Sequence, residues 1–192
     1  MTARGEVTLG ILAGGRGSRL GGRDKAWLMR DGVPQVVRIA RRFEGECTAV
    51  LVSANRDLPR HAAHGLRAVV DRIVDRGPLG GIEALASACE TPWLLTMPVD
   101  LVDPGDGLLR TLASASCGDG AVATDDDGLQ PLLALYRVEA LRAALADALA
   151  AGDYAVQAMQ ARLALPRAGF AGLRFGNLNT PDDLRRAGCD DA

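Results

Sequence analysis

The sequence has few of the features that mark a zinc protein or a nucleic-acid-binding protein. Its four cysteines are scattered along the chain and no two form a CxxC pair, so their spacing does not support a zinc site. Lys and Arg number 22, Asp and Glu number 24, and the net charge is −2. A charge this small does not attract nucleic acid or an anionic membrane to the whole molecule. Any anion that binds must therefore be held by a local site.

Long apolar runs are also lacking. The apolar stretch 7–12 near the N-terminus is too short for the core of a signal peptide, and no later segment approaches the length of a membrane span. Four dispersed cysteines in a chain of this length are typical of reduced, cytosolic proteins. We therefore expect a soluble, cytoplasmic protein.

The composition is that of an ordinary globular protein. The 192 residues are 48% hydrophobic and 24% charged, which is enough to build one hydrophobic core. The chain has no low-complexity linker and no internal repeat with a period of 20–50 residues. We expect a single domain over residues 1–192.

Apolar runs alternate with helical patterns from end to end. The predicted strands are 7–12, 48–54, 66–70, 92–98, 120–124 and 129–137. The predicted helices are 33–43, 77–90, 105–115, 138–152 and one that begins at Pro181, with Thr180 as its N-cap. Such alternation predicts an α/β sandwich with a mainly parallel sheet.

The segment LAGGRGSRLGGRDK, residues 12–25, contains five glycines and follows the first predicted strand. Two common phosphate-binding patterns do not fit it, because Leu20 replaces the last glycine of GxGxxG and Arg23 stands where GxxxxGK requires lysine. Glycines still allow backbone N–H groups to face an anion closely, and Arg19 and Lys25 add positive charge suited to triphosphate oxygens. The segment indicates a phosphate-binding loop at the carboxyl edge of the sheet. A flexible turn with solvated charges is the alternative if the loop is considered alone.

A carboxylate follows the apolar strand PWLLTMP at the same edge. Asp100 in this position can hold a hard cation such as Mg²⁺, which prefers oxygen ligands and shares them with substrate phosphates. A loop aspartate that caps a turn is the alternative, but the glycine loop expected beside Asp100 favours the metal site. Asp103, next to Pro104, is better explained as a turn or helix-entry residue.

Two asparagines flank Leu178 in the segment NLNTP near the C-terminus. Alternation along an extended segment would direct Asn177 and Asn179 to one side and Leu178 into the core. One of the two amides could reach the metal or the phosphate of a second substrate. The residues alone do not decide between them.

The glycine loop resembles the signature loop of nucleotidyltransferases with a Rossmann-like sheet, and its LAGG and GGRDK portions resemble the molybdenum cofactor guanylyltransferase family. Further segments resemble that family in the same order: VSANR (52–56), VVD (69–71), GPLGGI (77–82), MPVDLVDP (97–104), QPLLALYR (130–137) and NLNTPDDL (177–184). The resemblance spans residues 7–187. It implies a three-layer α/β/α sandwich of the nucleotide-diphospho-sugar transferase type.

The resemblance also implies an activity. A member of this family transfers GMP from GTP to the terminal phosphate of Mo-molybdopterin, forms molybdopterin guanine dinucleotide and releases pyrophosphate, with Mg²⁺ as cofactor. Gly14 favours guanine, because cytidylyltransferase relatives carry LAAG. Transient contact with molybdopterin-synthesis or molybdoenzyme proteins is implied as well. Two alternatives stay open: a cytidylyl- or guanylyltransferase for another phosphorylated acceptor, and a catalytically inactive nucleotide-binding module.

Site residues follow from the same resemblance. The implied catalytic residues are Arg19, Lys25 and Asp100, and Asp100 is also the implied metal ligand. The implied nucleotide-binding residues are Leu12, Ala13, Gly14, Gly15, Lys25, Ser53, Asp71 and Asp100. Either Asn177 or Asn179 belongs to the acceptor or metal side. Ser53 departs from the asparagine that is usual in the family, and its side chain has a shorter reach.

Three other features have structural explanations. His61 and His64 have helical spacing but no third metal ligand near them in sequence, and we expect both to be exposed. The run DDD at 125–127 is typical of a solvated turn. Trp27 and Trp93 are expected in the core.

Overall fold

The computed structural model describes residues 6–14, 24–73 and 76–190 and is built around a central sheet. The strands in chain order are β1 (Val7–Leu12), β2 (Met29–Arg30), β3 (Val33–Pro34), β4 (Ala49–Ser53), β5 (Arg67–Val69), β6 (Trp93–Pro98), β7 (Gly120–Asp125), β8 (Gly128–Arg137), β9 (Arg167–Gly169) and β10 (Cys189–Asp190). The helices are α1 (Gln35–Arg42), α2 (Leu58–Ala63), α3 (Pro78–Ala88), α4 (Leu108–Ala115), α5 (Val138–Ala150), α6 (Val156–Leu163) and α7 (Pro181–Arg186), with a short 3-10 helix at Lys25–Trp27.

Seven strands form the large sheet in the order β5-β4-β1-β6-β8-β7-β9. β8 runs antiparallel to both β6 and β7, and the other pairings in this sheet are parallel. β10, β2 and β3 form a small second sheet. The prediction of a mainly parallel α/β sheet is confirmed.

Side chains of the central strands alternate between two apolar layers. Leu9 and Ile11 of β1 pack with α1 and α4 on one face, whereas Leu94 of β6 and Tyr136 of β8 pack with α3, α5 and α6 on the other. This alternation follows from the two-residue period of a strand, and strands covered on both faces are continuously apolar. The three layers are therefore helix, sheet and helix.

The predicted strands are all present, with bounds that agree to within one residue, and the predicted helices agree to within three. Helix α1 begins at Gln35 rather than 33, because Val33 and Pro34 pair with β2 instead. Thr180 caps α7 as predicted, and its hydroxyl and the Asp183 carboxylate form a reciprocal capping box. The four short strands β2, β3, β9 and β10 and the helix α2 were not predicted. Within the described ranges, the helices lack the combination of length and apolarity needed to cross a membrane.

The expectation that His61 is exposed is wrong. The side chain is fully buried, and its ring lies 4.7 Å, centroid to centroid, from that of Trp27. Burial lowers the pKa of His61. Trp27 is itself buried, as predicted, so α2 packs on the segment that follows the glycine loop.

The expectation of a solvated DDD turn is wrong for its first residue. Asp126 and Asp127 are not buried, but Asp125 is, and its carboxylate accepts hydrogen bonds from Phe175 N and Gln130 Nε2, both at 2.9 Å, and from Asp127 N at 3.0 Å. Burial alone would raise the pKa of Asp125, but these hydrogen bonds together lower it. Asp125 therefore ties the β7–β8 turn to the segment between β9 and α7.

We predict that Asp125→Asn lowers the free energy of unfolding at neutral pH by about 2 kcal/mol, because an amide nitrogen would face an N–H donor. Since the folded-state pKa lies below its ordinary value, the carboxylate stabilises the fold above the unfolded-state pKa, and this stability is lost as the pH falls through the folded-state pKa. Urea unfolding from about pH 7 to about pH 2.5 should show a shallower acid loss in the variant than in the wild type. Asp126→Asn, at an exposed side chain, is the control. Parallel curves for Asp125→Asn and wild type would contradict the prediction.

Candidate active site

A cleft of about 810 Å³ opens at the carboxyl ends of β5, β4, β1 and β6. Its lining residues come from these strand ends, from the loops and helices that follow them and from β8: Leu12, Ala13, Gly14, Asp24, Lys25, Ser53, Ala54, Asn55, Arg56, Asp71, Gly77, Pro78, Gly81, Pro98, Val99, Asp100 and Leu132. This edge is where open α/β sheets bind ligands.

Strand order places the polar residues of the cleft in a row. Asp71 follows β5, Ser53 ends β4, Leu12 ends β1 and Asp100 follows β6. Neighbouring strands are about 4.8 Å apart, so the first and last of these positions are separated by about 14 Å. The cleft therefore has two chemically different ends, one at β5 and β4 and the other at β6.

At the β6 end, one ammonium group donates hydrogen bonds to two side-chain oxygens. Lys25 Nζ donates to Asp100 Oδ2 at 2.8 Å and to Asn179 Oδ1 at 2.7 Å. The Lys25 and Asp100 side chains are 20% and 22% exposed, so the pair faces the cleft without being sealed from water. Asp24 fixes the start of the short helix that carries Lys25, because its carboxylate accepts a hydrogen bond from Ala26 N at 2.9 Å.

The backbone of the C-terminal segment places Asn179 at this end. Leu178 N donates to Asp100 O at 2.8 Å and the Leu178 side chain is fully buried, as predicted. Asn177 forms an isolated β-bridge with Leu101, and its side chain is exposed. Of the two asparagines, Asn179 is therefore the one that contacts the Lys25–Asp100 pair.

At the β5 end, three polar side chains form a connected group. Ser53 Oγ donates to Asp71 Oδ1 at 3.0 Å, and Asn55 Nδ2 donates to Asp71 Oδ2 at 2.9 Å. Asp71 N in turn donates to Asn55 Oδ1 at 2.9 Å. Ser53 is 1% exposed, so its hydroxyl is committed to Asp71. The sequence prediction did not include Asn55, although two-residue spacing from Ser53 on an extended segment is a signal for it.

Glycines let this group lie close to the strand end and to α3. A Cβ at Gly81 would lie 2.7 Å from Ser53 Oγ and 2.9 Å from Leu12 Cδ2, which is too close for any side chain. A Cβ at Gly14 would lie 3.5 Å from Asn55 Nδ2 and 3.8 Å from the Asp71 and Ser53 side-chain oxygens. Gly14 therefore faces the polar group directly and leaves the space beside it open.

Helix α3 directs its N-terminus at the cleft. Pro78 occupies its first turn, Gly77 precedes it at φ +57°, and both line the cleft. The free N–H groups and the positive end of the helix dipole favour an anion at this position. The loop opening a helix that was predicted at 77–90 is thus part of the cleft.

Two of the residues expected from the sequence, Gly15 and Arg19, lie outside the described residues. The remaining ones line the cleft, apart from Asn179, which contacts the cleft residue Lys25, and Asn177, which does neither. Within the described ranges, no group of three or more His, Cys, Asp or Glu side chains is placed to hold a metal ion. A cation bound at Asp100 would therefore have to share its coordination with amide oxygens, water or a ligand.

The sequence is similar to those of known nucleotidyltransferases over most of its length. Residues 9–166 match the model of the MobA-like NTP transferase domain. The chain is 41% identical to the molybdenum cofactor guanylyltransferase of Cereibacter sphaeroides over 182 residues, which cover 92% of this chain and 93% of that protein. It is 35% identical to the protein of the same name from Cupriavidus necator over 195 residues, which cover 96% and 98%.

The fold is similar to a solved structure as well. The crystal structure of molybdopterin-guanine dinucleotide biosynthesis protein A from Archaeoglobus fulgidus superposes with a TM-score of 0.68 and 20% identity, over 94% of this chain and 96% of that one. The ends of β1, β4, β5 and β6, which form the cleft, lie inside the region matched by the family model.

Proposed function

Because the chain belongs to the family of MobA-like NTP transferases, we propose that it transfers GMP from GTP to the terminal phosphate of Mo-molybdopterin. The products are molybdopterin guanine dinucleotide and pyrophosphate. The observation that carries the proposal is the cleft with two different ends. One end presents the Asp71 carboxylate, which accepts hydrogen bonds, and the other presents the Lys25–Asp100 pair. The reaction belongs in the cytoplasm, and the product would pass by transient contact to the proteins that use it.

The spacing of the two ends suits a nucleotide laid across the strand ends. We assign the base to the Asp71 end and the phosphates to the Lys25 end, since an ammonium group attracts phosphate. Leu12, Ala13, Gly14 and Gly15 would support the base and ribose through the backbone. The Watson–Crick edge of guanine carries two adjacent donors, N1–H and the 2-amino group, which complement a carboxylate. Cytosine and adenine each place an acceptor in that edge, so the carboxylate favours guanine.

The oxygens beside Lys25 fit a hard cation. Asp100 Oδ2 and Asn179 Oδ1 both already accept hydrogen bonds from a positively charged group, and a carboxylate and an amide oxygen are ligands that Mg²⁺ accepts. These two residues would hold Mg²⁺ together with the triphosphate. Bound there, the ion would neutralise charge on the phosphates and the departing pyrophosphate.

The protein's own residues position the reaction. An oxygen of the acceptor's terminal phosphate attacks the α-phosphorus, a new P–O–P bond forms, and the bond to the β-phosphate breaks with release of pyrophosphate. Positioning and charge neutralisation supply most of the catalysis in such transfers. Lys25 would exchange its contact with Asp100 for the α-phosphate oxygens, where it stabilises developing charge. Arg19, from the glycine loop, is assigned the same role toward the pyrophosphate.

The test is pyrophosphate release with GTP, CTP, ATP and UTP in turn, with Mg²⁺ and a source of Mo-molybdopterin. We expect turnover with GTP to exceed turnover with each other nucleotide by about 100-fold or more. A preference for CTP would move the protein to the cytidylyltransferases. GTP binding without turnover, in the presence of the acceptor, would contradict guanylyl transfer and favour a binding module.

A further inference from the structure

Asn55 is exposed, yet its side chain is held in place by hydrogen bonds within the protein. Exposed asparagines are satisfied by water, and holding one in place costs side-chain entropy. Asn55 nevertheless forms two hydrogen bonds with a single residue, to the carboxylate and to the backbone N–H of Asp71, both at 2.9 Å. This two-point contact fixes the Asp71 side chain relative to its own backbone.

The two oxygens of Asp71 are fixed by different partners. Ser53 Oγ donates to Oδ1 and Asn55 Nδ2 donates to Oδ2. A carboxylate has about four lone-pair sites, so each oxygen keeps acceptor capacity after these bonds are made. Since both oxygens are held, the plane of the carboxylate is set before any ligand arrives, as bidentate recognition of two adjacent donors requires.

Ser53 and Asn55, the two side chains that hold Asp71, differ in how deeply they are buried. Ser53 is 1% exposed and is enclosed by Gly14 and Gly81, whose missing side chains leave it the space it occupies. Asn55 is exposed at the rim of the cleft. Without Asn55, water would replace its contact with Oδ2 and the carboxylate could rotate about the Ser53 bond. Asn55 is therefore the partner on which the orientation of Asp71 depends.

We propose that Asn55 is a positioning residue that holds the Asp71 carboxylate in the plane of the base, and so determines selectivity for a purine with N1–H and a 2-amino group. The inference rests on the proposed function, because it takes the Asp71 end of the cleft as the base site. Asn55 acts through Asp71 and lies at the opposite end of the cleft from Asp100, so its influence falls on nucleotide choice and not on the chemical step.

The experiment compares GTP with inosine triphosphate, which lacks only the 2-amino group, by equilibrium binding and by turnover. In the wild type we expect GTP to bind about 10-fold more tightly than inosine triphosphate. In Asn55→Ala the two affinities should converge, mainly through weaker GTP binding, while kcat at saturating GTP stays within about twofold. Asn55→Asp, which removes the donor and adds a like charge beside Asp71, should lose the preference at least as completely.

The matched control is Asp57→Asn, an exchange of carboxylate and amide at an exposed residue in the same loop that does not line the cleft. Asparagine tolerates the left-handed conformation at φ +49° that Asp57 adopts. This variant should keep the GTP preference of the wild type.

Two results would overturn the inference, and they differ in what they say about the proposed function. A merely structural role for Asn55 would weaken both nucleotides equally and leave their ratio unchanged, with guanylyl transfer intact. If the wild type bound GTP and inosine triphosphate equally, the assigned contact between Asp71 and the 2-amino group would be wrong. If it also preferred CTP in the same assay, the proposed function would be overturned as well.

Discussion

Asp100→Ala is expected to lower the rate of GTP-dependent pyrophosphate release by about three orders of magnitude. The variant loses the carboxylate that we assign to Mg²⁺ and that accepts the Lys25 hydrogen bond at 2.8 Å. GTP should still bind, because the Asp71 end of the cleft is intact and the Lys25 ammonium is freed for the phosphates. Steady-state kinetics together with GTP binding in the absence of metal would separate the loss of kcat from a loss of affinity.

The chain provides a matched control for this variant. Asp103 lies three residues on, is exposed, and accepts a hydrogen bond from Gly105 N at 2.8 Å, as a turn residue does. Asp103→Ala should keep kcat within about twofold of the wild type. If Asp100→Ala retained more than about a tenth of the wild-type kcat, the assignment of Asp100 to the reacting phosphates would be wrong.

Gly120→Ala is expected to have the largest effect on stability, a loss of more than about 4 kcal/mol in the free energy of unfolding. Gly120 begins β7 opposite Tyr136, at φ +138°, and a Cβ there would overlap the backbone oxygen of Leu135. Relief requires β7 and β8 to separate, which would break the pairing that joins β7 and β9 to the rest of the sheet. Urea unfolding monitored by far-UV circular dichroism would measure the loss.

Gly118→Ala is the control that separates backbone strain from the steric clash between a Cβ at position 120 and Leu135. Gly118 also has a positive φ, +84°, but a Cβ there meets nothing within 4 Å. This variant should lose only about 1 kcal/mol, from backbone strain alone. Equal losses in the two variants would show that the contact between β7 and β8 relaxes at little cost, against the prediction for Gly120.

The longer strands were predictable because each of them is apolar and rich in residues that favour strands, which is what burial on both faces of a sheet requires. β9 could not be predicted, since its three residues, Arg167–Gly169, carry no pattern and become a strand only by pairing with β7. His61 was misjudged for a related reason. Its burial comes from contact with Trp27, more than thirty residues earlier in the chain, and periodicity within α2 does not contain that information.

In the candidate site, too, some residues could be predicted from the sequence, and others depend on contacts between distant parts of the chain. The rule that ligands bind at the carboxyl edge of the sheet is enough to predict that Asp100 lies beside the glycine loop, and Lys25 at the end of that loop contacts it. The choice between Asn177 and Asn179 needed the hydrogen bond from Lys25, which joins residues 154 positions apart. Asn55 was missed because its partner, Asp71, follows a different strand, and the contact depends on the pairing of β4 with β5.

The strand order also has a consequence for how the chain folds during synthesis. β1 lies between β4 and β6, with Thr8 opposite Ala49 on one side and Val7 opposite Trp93 on the other. The second partner is made about 80 residues after β1, which at about 5–20 residues per second takes about 4–16 s. During that time an apolar strand keeps one edge unpaired, whereas the β7–β8 hairpin closes within its own sequence neighbourhood. Assembly of the cleft therefore waits for β6, and the nascent chain is most prone to aggregation before that strand emerges.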